Sequence, residues 1–346
     1  MMNLVIRADA APHMGTGHVM RCLALAQACQ DRGGRPIFAM AGGDPAIAAR
    51  LAREGMALVS LASPPGSAAD AAEVTQLALA APTAWVVVDG YHFDAAYQRR
   101  LKDAGLRLLV IDDYAHAGQY HADIVVNQNL GAAAALYPRR RPDSRLLLGP
   151  AYVLLRREFL KWRDWPREIP PKAGKVLVTL GGSDPDNATL KVLKALLQVK
   201  VEGLTAMVVV GGANPHRQEL QSWVREAAPL IRLETDVEDM PRRLAWAEAA
   251  VAATGSTAWE LAFMGVPSLL LVLAENQRAK AEHLQALGVA HYLGWQQEVD
   301  SEAMAGALTQ LLLSAETRAQ MSRRGRELVD GQGAWRVMRQ LQGESD

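Results

Sequence analysis

Two runs decide the fold: Trp85-Val86-Val87-Val88-Asp89 and Leu108-Leu109-Val110-Ile111-Asp112. Each is apolar without interruption and ends in an acid. A strand with no polar alternation needs cover on both faces, which is the situation of a parallel sheet flanked by helices. Ile124-Val125-Val126-Asn127 repeats the pattern with a closing amide, and residues 3–7 and 36–40 add two more strands. Helical patterns lie between them. One runs from 17 to about 31, with Val19, Cys22, Leu23 and Ala26 on one side, and another covers 46–53.

The rhythm breaks from Tyr152 to Gly174, where Trp162, Trp165, Pro166, Pro170 and Pro171 stand among charges. This reads as a helix followed by a proline-rich linker. Alternation then restarts with a strand at 175–180 and the turn Gly181-Gly182-Ser183-Asp184-Pro185, where Pro185 suits a first helical position after an Asp184 cap. Strands at 205–210, 231–234, 249–254 and 268–273 complete a second sheet. The chain is helical from Glu302, with a break at Asp330-Gly331-Gln332-Gly333. The expected fold is α/β with two Rossmann-like, doubly wound domains. These are residues 1–155 and 175–328, joined by a linker at 156–174, with a C-terminal helix in 329–346 packing back across the boundary. In such sheets ligands bind beyond the carboxyl ends of the strands, so an interdomain cleft is the expected site.

The 346 residues suit two domains, and half are hydrophobic, enough for two cores. Lys plus Arg and Asp plus Glu number 37 each. A formal net charge of zero argues against non-specific nucleic-acid binding and against docking on acidic lipid by charge. Cys22 and Cys29 fall on one helical face at roughly 10 Å, too far for a disulfide, and read as buried core thiols. The first apolar run is short and met at once by charge, as in a strand rather than a signal peptide. No stretch reaches ~18 apolar residues, so no membrane span is expected. The expectation is a cytoplasmic protein with no cofactor, no metal and no obligatory protein partner.

The turn Arg7-Ala8-Asp9-Ala10-Ala11-Pro12-His13-Met14-Gly15-Thr16-Gly17-His18 leads from the first strand to the first helix. Its glycines allow close backbone approach, and the helix start offers free N–H groups. Met20 stands where a dinucleotide fingerprint needs a third glycine, so NAD binding is discounted. The positive end of a helix disfavours an imidazolium, and a neutral His18 could take a proton from water. The alternative is a histidine that caps or packs. No glycine frame positions His13. In the second domain a strand leads into Thr254-Gly255-Ser256-Thr257-Ala258-Trp259-Glu260, a loop and helix start suited to a diphosphate, with Glu260 placed for ribose hydroxyls. Thr257-x-x-Glu260 is equally a capping box. Gly181-Gly182-Ser183 carries the same two readings, and the absence of GxxxxGK[ST] argues against a P-loop ATPase. Asp89-Gly90-Tyr91, Asp112-Asp113-Tyr114 and Asn127-Gln128-Asn129 could line a sugar pocket or simply cap turns. A metal site from Asp89, Asp112 and Asp113 has no ligand-spacing signature.

These segments resemble the PseG family in order along nearly the whole chain: Arg7-Ala8-Asp9-Ala10, Gly15 to Ala26, Asp89-Gly90-Tyr91, Asp112-Asp113, Asn127-Gln128-Asn129, Gly181 to Asp184, Thr254 to Pro267, Glu275-Asn276-Gln277 and Asp330 to Ala334. That family hydrolyses UDP-2,4-diacetamido-2,4,6-trideoxy-β-L-altropyranose in pseudaminic acid synthesis and has the GT-B fold of MurG-like glycosyltransferases. The resemblance implies His18 as catalytic base. It implies Arg7, Asp9, Gly17, Tyr91 and Asn276 at the sugar, and Gly182, Ser256 and Thr257 near the phosphates of UDP. Glu260 would lie at the ribose, and the loop of Thr235, Asp236, Val237 and Glu238 beside the uracil. His92 is left out of the mechanism. Rival readings are a MurG-like UDP-sugar glycosyltransferase and a non-catalytic nucleotide-sugar-binding protein.

Overall fold

The computed structural model describes residues 2–10, 15–81, 84–212, 214–227, 230–235 and 237–344. Its first sheet contains β1 (Asn3–Ala8), β2 (Pro36–Ala41), β3 (Ala57–Leu61), β4 (Ala84–Asp89), β5 (Arg107–Ile111), β6 (Ile124–Asn127) and β7 (Arg145–Leu148). All pair in parallel, in the order β3-β2-β1-β4-β5-β6-β7. Because side chains alternate across a strand, each apolar run feeds two cores. In β4, Trp85 and Val87 enter one core while Val86 and Val88 enter the other; in β5, Leu109 and Ile111 part likewise from Leu108 and Val110. The helices of this half are α1 (Gly17–Asp31), α2 (Pro45–Arg53), α3 (Ala68–Ala80) and α4 (Ala95–Asp103). Asp44, Ser67 and Asp94 cap the last three by accepting from backbone N–H groups two or three residues on.

The second half opens with a short α5 (Arg157–Leu160) and continues with β8 (Lys175–Thr179), β9 (Thr205–Val210), β10 (Ile231–Thr235), β11 (Ala249–Ala253), β12 (Ser268–Val272) and β13 (His291–Trp295). Its order is β10-β9-β8-β11-β12-β13, again parallel. Around it run α6 (Ala188–Leu196), α7 (Arg217–Ala227), α8 (Met240–Trp246), α9 (Thr257–Met264), α10 (Arg278–Ala286), α11 (Ser301–Leu313) and α12 (Ala315–Leu328), followed by α13 (Gly333–Gln342). One compact unit comprises the N-terminal strand, Thr16–Arg157 and the segment from Gly331; the other takes in Glu158–Asp330 together with Gly15. Among the described residues no helix is long and apolar enough to cross a membrane. Both cysteines are buried and free.

Two local readings change. Pro185 does not begin a helix. Asp184 (φ 41°) and Asn187 (φ 53°) take left-handed turns, and α6 starts at Ala188. The Asp184 carboxylate still reaches forward to the N–H groups of Ala188 (2.8 Å) and Thr189 (2.9 Å). The proline-rich stretch after Glu158 is not a free linker, because arginines bind it to the second unit. Arg167 donates to the carbonyls of Leu244, Ala247 and Met264, the last turns of α8 and α9. Arg318 donates to Pro170, Pro171 and Leu311. Helix-end carbonyls lack intrahelical partners, and a guanidinium supplies them with donors and charge of the favourable sign.

The segment from Gly331 completes the first core. Ala334, Val337, Met338 and Leu341 join the cluster that contains Trp85, and Trp85 Nε1 donates to the Leu341 carbonyl at 3.1 Å. Gly333 starts α13 where a Cβ would fall 2.2 Å from the Val153 carbonyl oxygen. Gly333→Ala should therefore lower stability by about 2 kcal/mol through overpacking. Gly306→Ala, inside α11 with nothing within 4 Å, should raise it by about 0.5–1 kcal/mol. Urea unfolding of both variants is the check, and equal midpoints would refute the packing assigned to Gly333.

Candidate functional site

In the first sheet the strand order reverses direction at β1 and β4, where the connections diverge and the carboxyl ends of neighbouring strands leave an opening. The chain leaving β1 reaches His18, the second residue of α1; the chain leaving β4 ends on Asp89. These two side chains meet, with His18 Nδ1 2.7 Å from Asp89 Oδ1. Asp89 has no exposed surface. It also accepts from Arg21 Nε and Nη2, both at 2.6 Å, and from the Cys22 thiol at 3.5 Å. His18 and Arg21 stand three residues apart on one helical face. Burial pushes the Asp89 carboxyl up, but the Arg21 guanidinium and then His18 outweigh it and hold it below the usual carboxylate range. An ionised carboxylate only accepts, so Nδ1 of His18 carries the proton and Nε2 is the basic nitrogen. Arg21 Nη2 lies 3.3 Å from Nδ1 and donates to the same Asp89 oxygen.

A further layer orients these groups. Arg21 Nη1 donates to both oxygens of Asp113 (2.8 and 3.0 Å), which also accepts from the Tyr91 hydroxyl (2.8 Å) and Asn129 Nδ2 (2.8 Å). The Tyr91 ring meets His18 nearly perpendicular, with centroids 5.0 Å apart. Asn127 Nδ2 donates to the Tyr137 hydroxyl and to the Asp113 carbonyl. A histidine with one nitrogen fixed by a buried carboxylate is suited to general-base work, since the carboxylate sets its tautomer and stabilises the imidazolium that forms. Among the described residues no group of three or more His, Cys, Asp and Glu could hold a metal ion; Asp89, Asp112 and Asp113 are each engaged by cations or hydroxyls.

The structure brings Gly17, His18 and Tyr91 together, with Gly17 as the first residue of α1. Arg7 and Asp9 stand differently from the expected sugar contacts. Arg7 is fully buried; Nε and Nη2 donate to Asp70 and Nη1 donates to Asp9. Asp9 Oδ1 accepts from Arg7 (2.6 Å) and from the Ala41 N–H (2.8 Å), and Oδ2 lies 3.2 Å from His92 Nε2. A guanidinium with no exposed surface and carboxylates on two sides ties β1 to α3 and β2, leaving a ligand nothing to contact. His13 lies outside the described residues. Sequence reasoning missed Arg21 and the pairings of Asp89 with His18 and of Asp113 with Arg21. The available signal was the i, i+3 spacing of His18 and Arg21 opposite an acid that ends a buried strand.

In the second sheet the reversal lies at β8 and β11. Both glycine turns follow these strands, Gly181–Gly182 after β8 and Gly255–Ser256 after β11. Gly182 packs so closely on Gly211 that a Cβ at Gly211 would sit 2.4 Å from its carbonyl oxygen. The helix starts differ. Asp184 serves the first N–H groups of α6, whereas no side chain caps α9. Ser256 precedes α9 and Thr257 is its first residue, so Thr257 and Glu260 do not occupy capping-box positions. Glu260 is buried in the first turn, and Lys280 Nζ lies 5.4 Å from the Trp259 ring centroid. Asn276 is exposed in the turn Glu275–Gln277. Val237 is half-buried after the edge strand β10. Asp236 lies outside the described residues.

Asp9, Asp89 and Asp112 are all held below the ordinary carboxylate range, each by hydrogen-bonding or cationic neighbours that overcome the upward push of burial. A folded-state value below the unfolded one gives stability that is complete above about pH 4 and lost as the pH falls through the folded values. The melting temperature should hold level between about pH 7 and 5 and fall below about 4. Asp89→Asn should cost about 3 kcal/mol at neutral pH, because it leaves Arg21 short of a partner, and should make the acid limb shallower. Thermal melts across this range are the measurement, and an acid limb unchanged in the variant would contradict the pairing.

Residues 176–332 match the family described as Glycosyltransferase family 28 C-terminal domain. The chain is 32% identical over 201 residues to the spore coat polysaccharide biosynthesis protein SpsG of Bacillus subtilis. That match takes in 58% of this chain and 59% of SpsG, so the chain spans little more than half the length of that relative. It is 23% identical over 291 residues to the UDP-2,4-diacetamido-2,4,6-trideoxy-β-L-altropyranose hydrolase of Campylobacter jejuni, covering 83% of this chain and 97% of that one. Among solved structures, MurG of Acinetobacter baumannii aligns with a TM-score of 0.64 over 99% of this chain and 100% of that chain, at 16% identity. Residues 176–332 thus resemble a glycosyltransferase family 28 C-terminal domain, and the two parallel sheets with their helices have the two-domain α/β architecture of the GT-B fold.

Proposed function

We propose that this chain hydrolyses UDP-2,4-diacetamido-2,4,6-trideoxy-β-L-altropyranose, a UDP-activated deoxy-amino sugar of pseudaminic acid biosynthesis, to UDP and the free sugar. The observation that carries the reading is the His18–Asp89 pair at 2.7 Å, at the carboxyl ends of the strands. A transferase must activate an acceptor hydroxyl; a hydrolase needs only a base aimed at water, the role this reading gives His18. The likeness to the Campylobacter jejuni hydrolase, over most of both chains, supports the same choice. In this reading His18 Nε2 takes a proton from water as the water oxygen bonds to C1. The C1–O bond breaks, its electron pair leaves with UDP, and the configuration at C1 inverts. Asp89 stabilises the imidazolium. UDP leaves as a stable anion and needs no separate general acid. Gly17, Tyr91 and Asn276 contact the sugar. Gly182, Ser256 and Thr257 donate to the phosphates, where the uncapped start of α9 favours negative charge. Glu260 accepts from the ribose, and Val237 packs beside the uracil.

The match of residues 176–332 to a glycosyltransferase domain favours a second reading, transfer of the sugar from UDP to an acceptor. Purified protein incubated with the UDP-sugar alone separates the two, with free UDP followed by NMR. Release of UDP without an acceptor is expected, and its absence would sink the hydrolase reading. His18→Ala should lower kcat by about 10²–10⁴-fold, the usual contribution of a general base, while UDP affinity measured by calorimetry stays unchanged. Loss of UDP binding in that variant would make His18 structural instead.

A further inference from the structure

A second histidine–carboxylate pair lies beside the first, and the reaction above does not use it. His116 Nδ1 is 2.7 Å from Asp112 Oδ1. Asp112 has no exposed surface and accepts three more hydrogen bonds, from the hydroxyls of Tyr120 (2.9 Å) and Tyr137 (2.7 Å) and from the Ala115 N–H (2.7 Å). Every partner of this carboxylate donates, so Nδ1 of His116 carries a proton and Nε2 is the nitrogen left to face a ligand, as an acceptor in that tautomer. The His116 side chain is only 8% exposed, and Nε2 is buried with no hydrogen-bond partner among the described residues. Buried acceptors are nearly always paired, and leaving one unmade is costly.

Its surroundings are aromatic. The His116 centroid lies 5.6 Å from that of Tyr91 and 6.0 Å from that of Tyr114, and the two tyrosine rings are 5.1 Å apart. Tyr91 in turn meets His18 at 5.0 Å. Tyr114 is half-exposed and is followed by Ala115 at φ 61°, a left-handed conformation that an alanine rarely takes. Strain of this kind persists where neighbouring contacts fix it and gathers at ligand sites; here the Asp112 carboxylate holds the Ala115 N–H.

We propose that His116, with Tyr91 and Tyr114, forms the subsite for an N-acyl substituent of the sugar, with His116 Nε2 accepting the amide N–H and the tyrosine rings packing on the amide plane and methyl group. Rotation of Tyr114 toward solvent opens the corner. A hydroxyl is too short to cover the aromatic surface and is not held against the acceptor, so the subsite selects acylated amino sugars. This rests on the reading that the first unit binds such a sugar, and the test separates the two.

Long-range proton–nitrogen spectra of the ¹⁵N-histidine-labelled full chain would be recorded with the free 2,4-diacetamido-2,4,6-trideoxy sugar, then with its 2,4-dihydroxy counterpart. The expected result is an upfield shift of His116 Nε2 with the diacetamido sugar alone. No shift, or an equal shift with both sugars, overturns the proposal. His116→Phe should raise KM for the UDP-diacetamido sugar about tenfold with kcat retained, as for loss of one hydrogen bond. His116→Gln, which keeps an acceptor, should recover most of that loss, and equal KM values in wild type and His116→Phe would refute the assignment. If wild-type protein releases no UDP yet His116 Nε2 shifts with the free diacetamido sugar, the hydrolase reading fails and the subsite stands. If UDP is released but His116 Nε2 does not shift, the subsite fails and the hydrolase stands.

Discussion

A carboxylate sealed from water at the end of β4 governs the first unit. Asp89 must be fully paired, because an ionised carboxylate without partners is prohibitively costly in the interior. Its donors are His18, Arg21 and Cys22, all within one turn and a half of α1. That requirement fixes where α1 begins and how it is rotated. Arg21, now buried, needs a second anion and finds Asp113, which in turn takes the Tyr91 hydroxyl. The placement of His18, its tautomer and the aromatic ring beside it all follow from one acid and the strand that carries it.

The two units share a topology but prepare the ends of their strands differently. At the first reversal point the helix start is occupied by side chains that pair with acids. At the second, the start of α9 keeps its amide groups uncapped by side chains, while α6 has its own carboxylate cap in Asp184. A helix start without a side-chain cap carries unpaired amide groups and a partial positive charge that favour an anion.

Much of this was legible before any coordinates. The strands at 124–127 and 205–210 and the helix at 17–31 coincide with the observed elements because strong apolar runs and glycine turns bound them. The strand β3 escaped notice because it is an edge strand, with Ala57, Leu58 and Ser60 exposed and no buried run to mark it. β13 is also an edge strand, half-exposed and with a shift of register between Leu270 and Leu271 of its neighbour. At the site, His18 stood out because glycines frame it. Asp89 did not, because an aspartate after a strand is by default a turn residue, and only depth tells a turn acid from a buried one. Arg7 misled for the converse reason. A charge at a strand end suggests a ligand, yet its partners Asp70 and Asp9 come from sixty-three residues and two residues away, and only the first separation explains its burial.

The return of α13 to the first core has a consequence for synthesis. A ribosome makes the first unit in two instalments, with all of Glu158–Asp330 between them. Nearly all of the second unit, Glu158–Asp330, is one stretch that can close its core as soon as it emerges. The first cannot: until Val337, Met338 and Leu341 arrive, the face of α1 and the edge of Trp85 that they cover lie bare. The half that holds His18 and Asp89 is thus completed last, and the nascent chain carries an open apolar face through the whole manufacture of its neighbour.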